Sequence, residues 1–126
     1  MTRNLIHSEH APEAIGPYSQ AVRAGNTVYL SGQIGLDPRT GELVTGGLEP
    51  QARRVFENLQ AVAEAAGDGL QQVVRVTVYL TDLRDFAKLN EVMVGYFSPP
   101  YPARVTVGVA ALPRGAVVEV DAVMAV

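Results

Sequence analysis

Pro102-Ala103-Arg104-Val105-Thr106-Val107-Gly108-Val109-Ala110-Ala111 follows the break Ser98-Pro99-Pro100-Tyr101 and alternates at a period of two. Val105, Val107 and Val109 point one way and Arg104, Thr106, Gly108 and Ala110 the other, which is the pattern of a half-buried strand. Pro102 cannot donate a ladder hydrogen bond and biases Tyr101 toward extended backbone, so it suits the first residues of a strand. Arg104 is thereby placed near a strand end, on the face of small and polar residues. Its planar fork of donors fits a carboxylate in a bidentate pair, although a structural ion pair or a solvated side chain satisfies the same pattern.

Toward the C-terminus, Leu112-Pro113-Arg114-Gly115 is a turn signal, and Val117 to Val126 alternates again. Val118, Val120, Ala122, Met124 and Val126 share one face; Glu119 and Asp121 share the other. The expectation is a C-terminal hairpin whose two strands put charge on one side of the sheet and valines on the other. A tight turn near Arg114 sets Arg104 opposite about residue 124 and Glu119 opposite about residue 109, roughly 16 Å apart at strand rise. That offset argues against a direct Arg104–Glu119 pair within one chain. The two would instead flank a small ligand or meet through a neighbouring subunit.

Working back toward the N-terminus, Asp82 is a good N-cap for a helix carrying Phe86, Leu89, Met93, Tyr96 and Phe97 on one stripe, ended by Ser98-Pro99-Pro100. Asn90 falls beside that stripe and needs partners if half-buried. Val73 to Leu80 is rich in β-branched residues and reads as a buried strand. Glu49 to Ala66 is the clearest helix: Ala52, Val55, Phe56, Leu59, Val62, Ala63 and Ala66 keep helical spacing, Pro50 suits a first turn and Gly67 a stop. Gly35 to Gly47 is loop-rich but lacks the Gly-Lys-Ser/Thr ending of a phosphate loop. Thr27 to Ser31 reads as a strand, paired through Ala24-Gly25-Asn26 with the run that Tyr18 begins. Ser31-Gly32-Gln33 ends it with a residue that permits close approach. Tyr18, beside the rigid Gly16-Pro17 bend, either packs or presents its hydroxyl to a ligand. Met1 to Ala11 is an edge strand or an arm.

The sum is a single domain over residues 1–126, of α+β class: a two-layer sandwich with two helices on one face of a mixed sheet. The other face then needs a cover, and oligomerisation is the natural one. A net charge of −3 supplies no positive field for nucleic acid. Having no cysteine, and two histidines both within the first ten residues, the chain lacks disulfides, thiolate nucleophiles and the makings of a His-rich metal centre or a Ser-His-Asp triad. With no signal-peptide core and no run of membrane-spanning length, a soluble cytoplasmic protein is expected.

Six blocks add a more specific reading. Ile15-Gly16-Pro17-Tyr18-Ser19-Gln20, Ser31-Gly32-Gln33-Ile34, Asn58-Leu59, Thr81-Asp82-Leu83, Pro102-Ala103-Arg104 and Val118-Glu119-Val120 occur in the order seen in the reactive intermediate deaminase family, also called RidA, YjgF or UK114, which the chain resembles over essentially its whole length. The resemblance implies a chorismate-mutase-like fold, a homotrimer with ligand clefts between subunits, and hydrolysis of enamines and imines such as 2-aminoacrylate, 2-iminopropanoate and 2-iminobutanoate to 2-oxo acids and ammonia. It implies that Arg104 binds the substrate carboxylate, that Glu119 positions water, and that Tyr18, Ser31, Gly32 and Asn90 line the cleft. Thr106 stands where many members carry cysteine, and would serve there through backbone groups.

The chemistry agrees with the residue types. A small 2-imino acid needs a carboxylate clamp, one proton-transfer group and a site for water, and requires no metal, nucleophile or organic cofactor. Other classes compete: a module that binds small carboxylates without turnover, the endoribonuclease or translation-inhibitor activity attached to relatives, and a chaperone-like holdase. Acidic net charge and the lack of a Lys/Arg cluster weigh against the nuclease.

Overall fold

A computed structural model describes residues 2–126; Met1 lies outside the described residues. Its strands are β1 (Arg3–Ile6), β2 (Ala21–Ala24), β3 (Thr27–Gln33), β4 (Val73–Leu80), β5 (Ala103–Gly108) and β6 (Val118–Ala125), and its helices are α1 (Leu48–Ala66) and α2 (Phe86–Met93). The strands form one mixed sheet in the order β1-β2-β3-β6-β4-β5. Among the described residues only the β4–β5 pair is parallel.

The helix α1 forms where the sequence spacing places it. Leu48, Ala52, Val55, Phe56, Leu59, Val62 and Ala63 are buried along one stripe, and Gly67 closes the helix by donating to the Ala63 carbonyl. That stripe lies over β3 and β6 and against α2. It shares one hydrophobic core with Val28, Val76, Val78, Val118, Val120 and Met124 of the sheet, all fully buried. Each such side chain contributes about 1.5–3 kcal/mol by leaving water. The second helix is shorter than its stripe suggests. Asp82 accepts from the Arg84 N–H and caps a 3-10 turn, Leu83–Asp85, before α2 begins. Tyr96 and Phe97 lie past the end of α2 yet still pack on Phe56, with ring centroids 5.5 and 5.8 Å away.

Two expectations fail here. The first is the C-terminal hairpin, because β4 is inserted between β5 and β6. The connection passes over the end of β4: Val109 N–H donates to the Leu80 carbonyl on one side and Thr81 N–H to the Val117 carbonyl on the other. A local turn signal states that a chain reverses, not which strand it reverses onto. Here the β4–α2–β5 crossover has already delivered a parallel strand to the outer edge of β4.

The second failure is the shared charged face. Arg104 and Thr106 pair with Val76 and Val78 and therefore face the helices. Glu119 and Asp121 pair with Tyr79 and Thr77 and face away from them. The valines of β5 take the uncovered face instead, as does Tyr29 on β3, which is 55% exposed. Each strand alternates as read; the relative phase of the two strands does not follow from either alone.

Candidate active site

Glu119 is positioned by an irregularity in the neighbouring strand. The β3–β6 register slips between Leu30 and Gln33, leaving Ser31-Gly32 as a bulge. A Cβ on Gly32 would collide with the Glu119 carboxylate, so glycine is what lets the carboxylate lie against that backbone. Glu119 is half-buried and takes part in no hydrogen bond or ion pair among the described side chains. Burial first, and then the nearby Asp121 charge, push its carboxyl above the ordinary glutamate value. A carboxyl in that state is suited to giving and taking protons.

Tyr18 lies on the loop across from it. The Tyr18 N–H bonds the Gly16 carbonyl at 2.9 Å, and its hydroxyl accepts from the Ile15 N–H at 3.2 Å. The phenolic proton is left free to donate. Ser31, in contrast, spends its hydroxyl on the Ser19 carbonyl. Together Tyr18, Ser31, Gly32 and Glu119, with Ile15 and Arg114, line a cavity of about 570 Å³.

Arg104 opens onto a different cavity, of about 510 Å³, shared with Asn90, Met93, Val94, Tyr101 and Pro102. Its Nη1 donates to Asn90 Oδ1 at 2.6 Å and to Met93 Sδ at 3.6 Å, and the guanidinium lies 5.1 Å from the Phe86 ring centroid. Phe86, Asn90 and Met93 are spaced four and three residues apart on α2, so one helix face holds the group. All three contacts are uncharged. Among the described residues no carboxylate pairs with Arg104, and its Nε–Nη2 edge makes no hydrogen bond. That edge is the one that receives a carboxylate in a bidentate pair.

A family model described as endoribonuclease L-PSP, the RidA/YjgF family, matches residues 8–126. The chain belongs to that family. It is similar to the 2-iminobutanoate/2-iminopropanoate deaminases of Dermatophagoides farinae, at 48% identity over 98% of this chain and 97% of that one, and of Mus musculus, at 48% over 96% and 90%. The crystal structure of RidA from an Antarctic Psychrobacter superposes with a TM-score of 0.95, at 55% identity over 98% of this chain and 99% of that chain.

Set against the RidA reading, the named residues divide into two groups and a remainder. Tyr18, Ser31, Gly32 and Glu119 surround one cavity, and Asn90 and Arg104 surround another. Thr106 lines neither, and its Oγ1 is buried with no hydrogen-bond partner among the described residues. The described residues contain no cluster of three His, Cys, Asp or Glu side chains placed to hold a metal.

Three supporting residues carried no assigned role in the sequence. Gln20, buried, accepts from the Ser8 N–H at 2.7 Å and donates to the carbonyls of Ser8, Ala11 and Pro12, fastening the loop that leads to Tyr18. Asn58, on the buried stripe of α1, donates to the carbonyls of Ile34 and Leu36 and accepts from Arg54 Nε. The third is Arg114, in the left-handed region at φ 63°, which donates to the Gly41 carbonyl at 3.2 Å. An amide among the apolar positions of α1 was the available signal for Asn58. For Arg114 there was none beyond its turn.

Proposed function

We propose that this protein hydrolyses 2-imino acids and their enamine tautomers to 2-oxo acids and ammonia, in a site that two subunits of a homotrimer complete between them. The observation that carries the reading is the Arg104 guanidinium, held by neutral partners with its Nε–Nη2 edge uncommitted. The names of the relatives supply the substrate class. In support of the shared site, Arg104 and Glu119 stand on opposite faces of one sheet. The face bearing Leu5, Tyr29, Val105 and Val107, which also carries Glu119, is uncovered within one chain and exposes these large apolar side chains.

In the proposed reaction the Arg104 edge clamps the substrate carboxylate of R–C(=NH)–COO⁻ in a bidentate pair. Glu119, ionised, takes a proton from water as its oxygen bonds to the imine carbon, and passes that proton to the nitrogen as the C=N electron pair moves onto it. The resulting carbinolamine loses ammonia when Glu119 takes the hydroxyl proton and delivers it to the amine nitrogen, the C–N bond breaking with its electron pair on nitrogen as the C=O bond forms. An enamine enters this sequence after protonation at its terminal carbon. Tyr18, with a free phenolic proton, is placed to hold the water or the hydroxyl of the carbinolamine.

The test is the loss of imine formed in situ from L-threonine by a dehydratase, or from L-alanine and L-leucine by an amino-acid oxidase, read as the imine still available to semicarbazide. Faster loss that disappears in Arg104→Ala is expected. No acceleration with any of these side chains, from a protein of intact oligomeric state, would overturn the assignment in favour of a carboxylate-binding module.

A further inference from the structure

On β6, Glu119 and Asp121 are next-but-one neighbours and share the face away from the helices. Tyr79 stands directly opposite Glu119 on β4, yet its hydroxyl passes Glu119 by and donates to Asp121 Oδ2 at 2.9 Å. That hydrogen bond, ahead of burial, raises the phenol above its ordinary value, so Tyr79 remains a donor throughout the range in which carboxylates titrate. The reaction proposed above, on which this inference rests, employs Glu119 and leaves the pair beside it without a task. We infer that Tyr79 and Asp121 form a positioning pair for Glu119, the tyrosine fixing the Asp121 carboxylate and that fixed negative charge keeping a proton on Glu119 available for the departing ammonia.

The other charged groups around Glu119 do not offer the same service. From β4, Thr77 is uncharged, and Arg75 lies one row beyond it with no ion pair to Asp121 among the described residues. From β3, the adjoining residues are Ser31 and Gly32. Across the cavity stand Tyr18, Glu13 and Arg114; Glu13 bonds His7 Nε2 at 3.1 Å, and the Arg114 guanidinium is turned to the Gly41 carbonyl. Asp121 is therefore the anion whose position relative to Glu119 is set by the sheet. Its charge acts beside burial in lifting the Glu119 carboxyl.

The deciding measurement is the Glu119 carboxyl titration, followed by NMR in protein carrying ¹³C-carboxyl glutamate, for wild type, Asp121→Asn, Asp121→Glu and Tyr79→Phe, each of verified oligomeric state. Asp121→Asn is expected to lower the midpoint by about half a unit or more, Tyr79→Phe by less in the same direction, and Asp121→Glu to restore most of it. The acid limb of kcat/KM should move with the midpoint, with kcat falling severalfold and KM holding. An unmoved midpoint in Asp121→Asn, or in Tyr79→Phe where the first variant fails to fold, overturns the inference. A wild-type protein that hydrolyses no imine refutes the proposed reaction instead, and the midpoints still decide whether the pair governs Glu119.

Discussion

The two halves of the candidate site are built in opposite ways on one sheet. Glu119 sits on β6, an inner strand bonded on both sides, with Val118 and Val120 fully buried beneath it and the Gly32 backbone against its carboxylate. Arg104 sits near the start of β5, an edge strand, and is aimed by side chains of α2. The proposed acid–base group is thus fixed by main chain, and the cation by a contact between a helix and an edge. The contrast teaches that one fold can supply both parts of a reaction while keeping them apart. Within a chain they occupy separate cavities, and a second chain is what unites them in the proposed site.

The largest test of that contrast is Arg104→Ala. Its kcat/KM for imine hydrolysis should fall by about a thousandfold, the order expected when a buried charge pair with substrate is lost, while the thermal melt stays near wild type. Arg104→Lys should recover little, since an ammonium lacks the fork. Mixing subunits sharpens it. Arg104→Ala and Glu119→Gln proteins, each inactive alone, should regain about a quarter of wild-type activity when unfolded and reassembled together, because one shared cleft in four then receives both intact halves. No recovery in verified mixed trimers would mean that each chain holds its own site.

Smaller effects probe each half separately. Gly32→Ala drives a methyl into the Glu119 carboxylate and should cost about tenfold or more in kcat, with KM nearly unchanged, because the clamp is on the other half. Asn90→Ala should do the reverse, raising KM about fivefold while kcat holds, since Arg104 loses its strongest orienting bond. Equal changes in both parameters for both variants would dissolve the distinction.

The smallest effect is thermodynamic. Because the Glu119 carboxyl is raised in the folded chain, the fold prefers its protonated form. Stability is therefore lost as pH climbs from the ordinary glutamate value through the raised one, and is fully present below both. Glu119→Gln removes this cost, and at pH 8 should melt about 1–2 °C above wild type, with no difference near pH 4. A lower melting temperature at pH 8 would mean that the carboxylate is stabilising after all.

Much of this was legible in the sequence for identifiable reasons. The stripe Ala52 to Ala66 can bury only as a helix, and the alternation from Val118 to Val126 only as a strand, so both appear as read. The division into two layers follows from those faces. Strand order was not legible, because Leu112 to Gly115 encodes a turn with no record of β4 lying between its arms. The faces of Arg104 and Glu119 were lost with it. What Gln20 and Asn58 hold was not legible for another reason: their partners are mainly backbone carbonyls, which every residue carries, so the amide on the apolar stripe of α1 marks Asn58 without naming its partner.

The place of β6 in the sheet has a consequence for synthesis. Among the described strands it comes latest in the chain, and it is the one that joins the β1-β2-β3 ribbon to the β4-β5 pair. A nascent chain holds two separate ribbons until it has been made through Ala125, each with an open edge meant for the same late strand. Closure of the sheet, burial of the α1 stripe and delivery of Glu119 beside Gly32 therefore coincide in a single long-range event, the kind that sets a slow pace for folding. Until then the two edges stand open to strands of other chains.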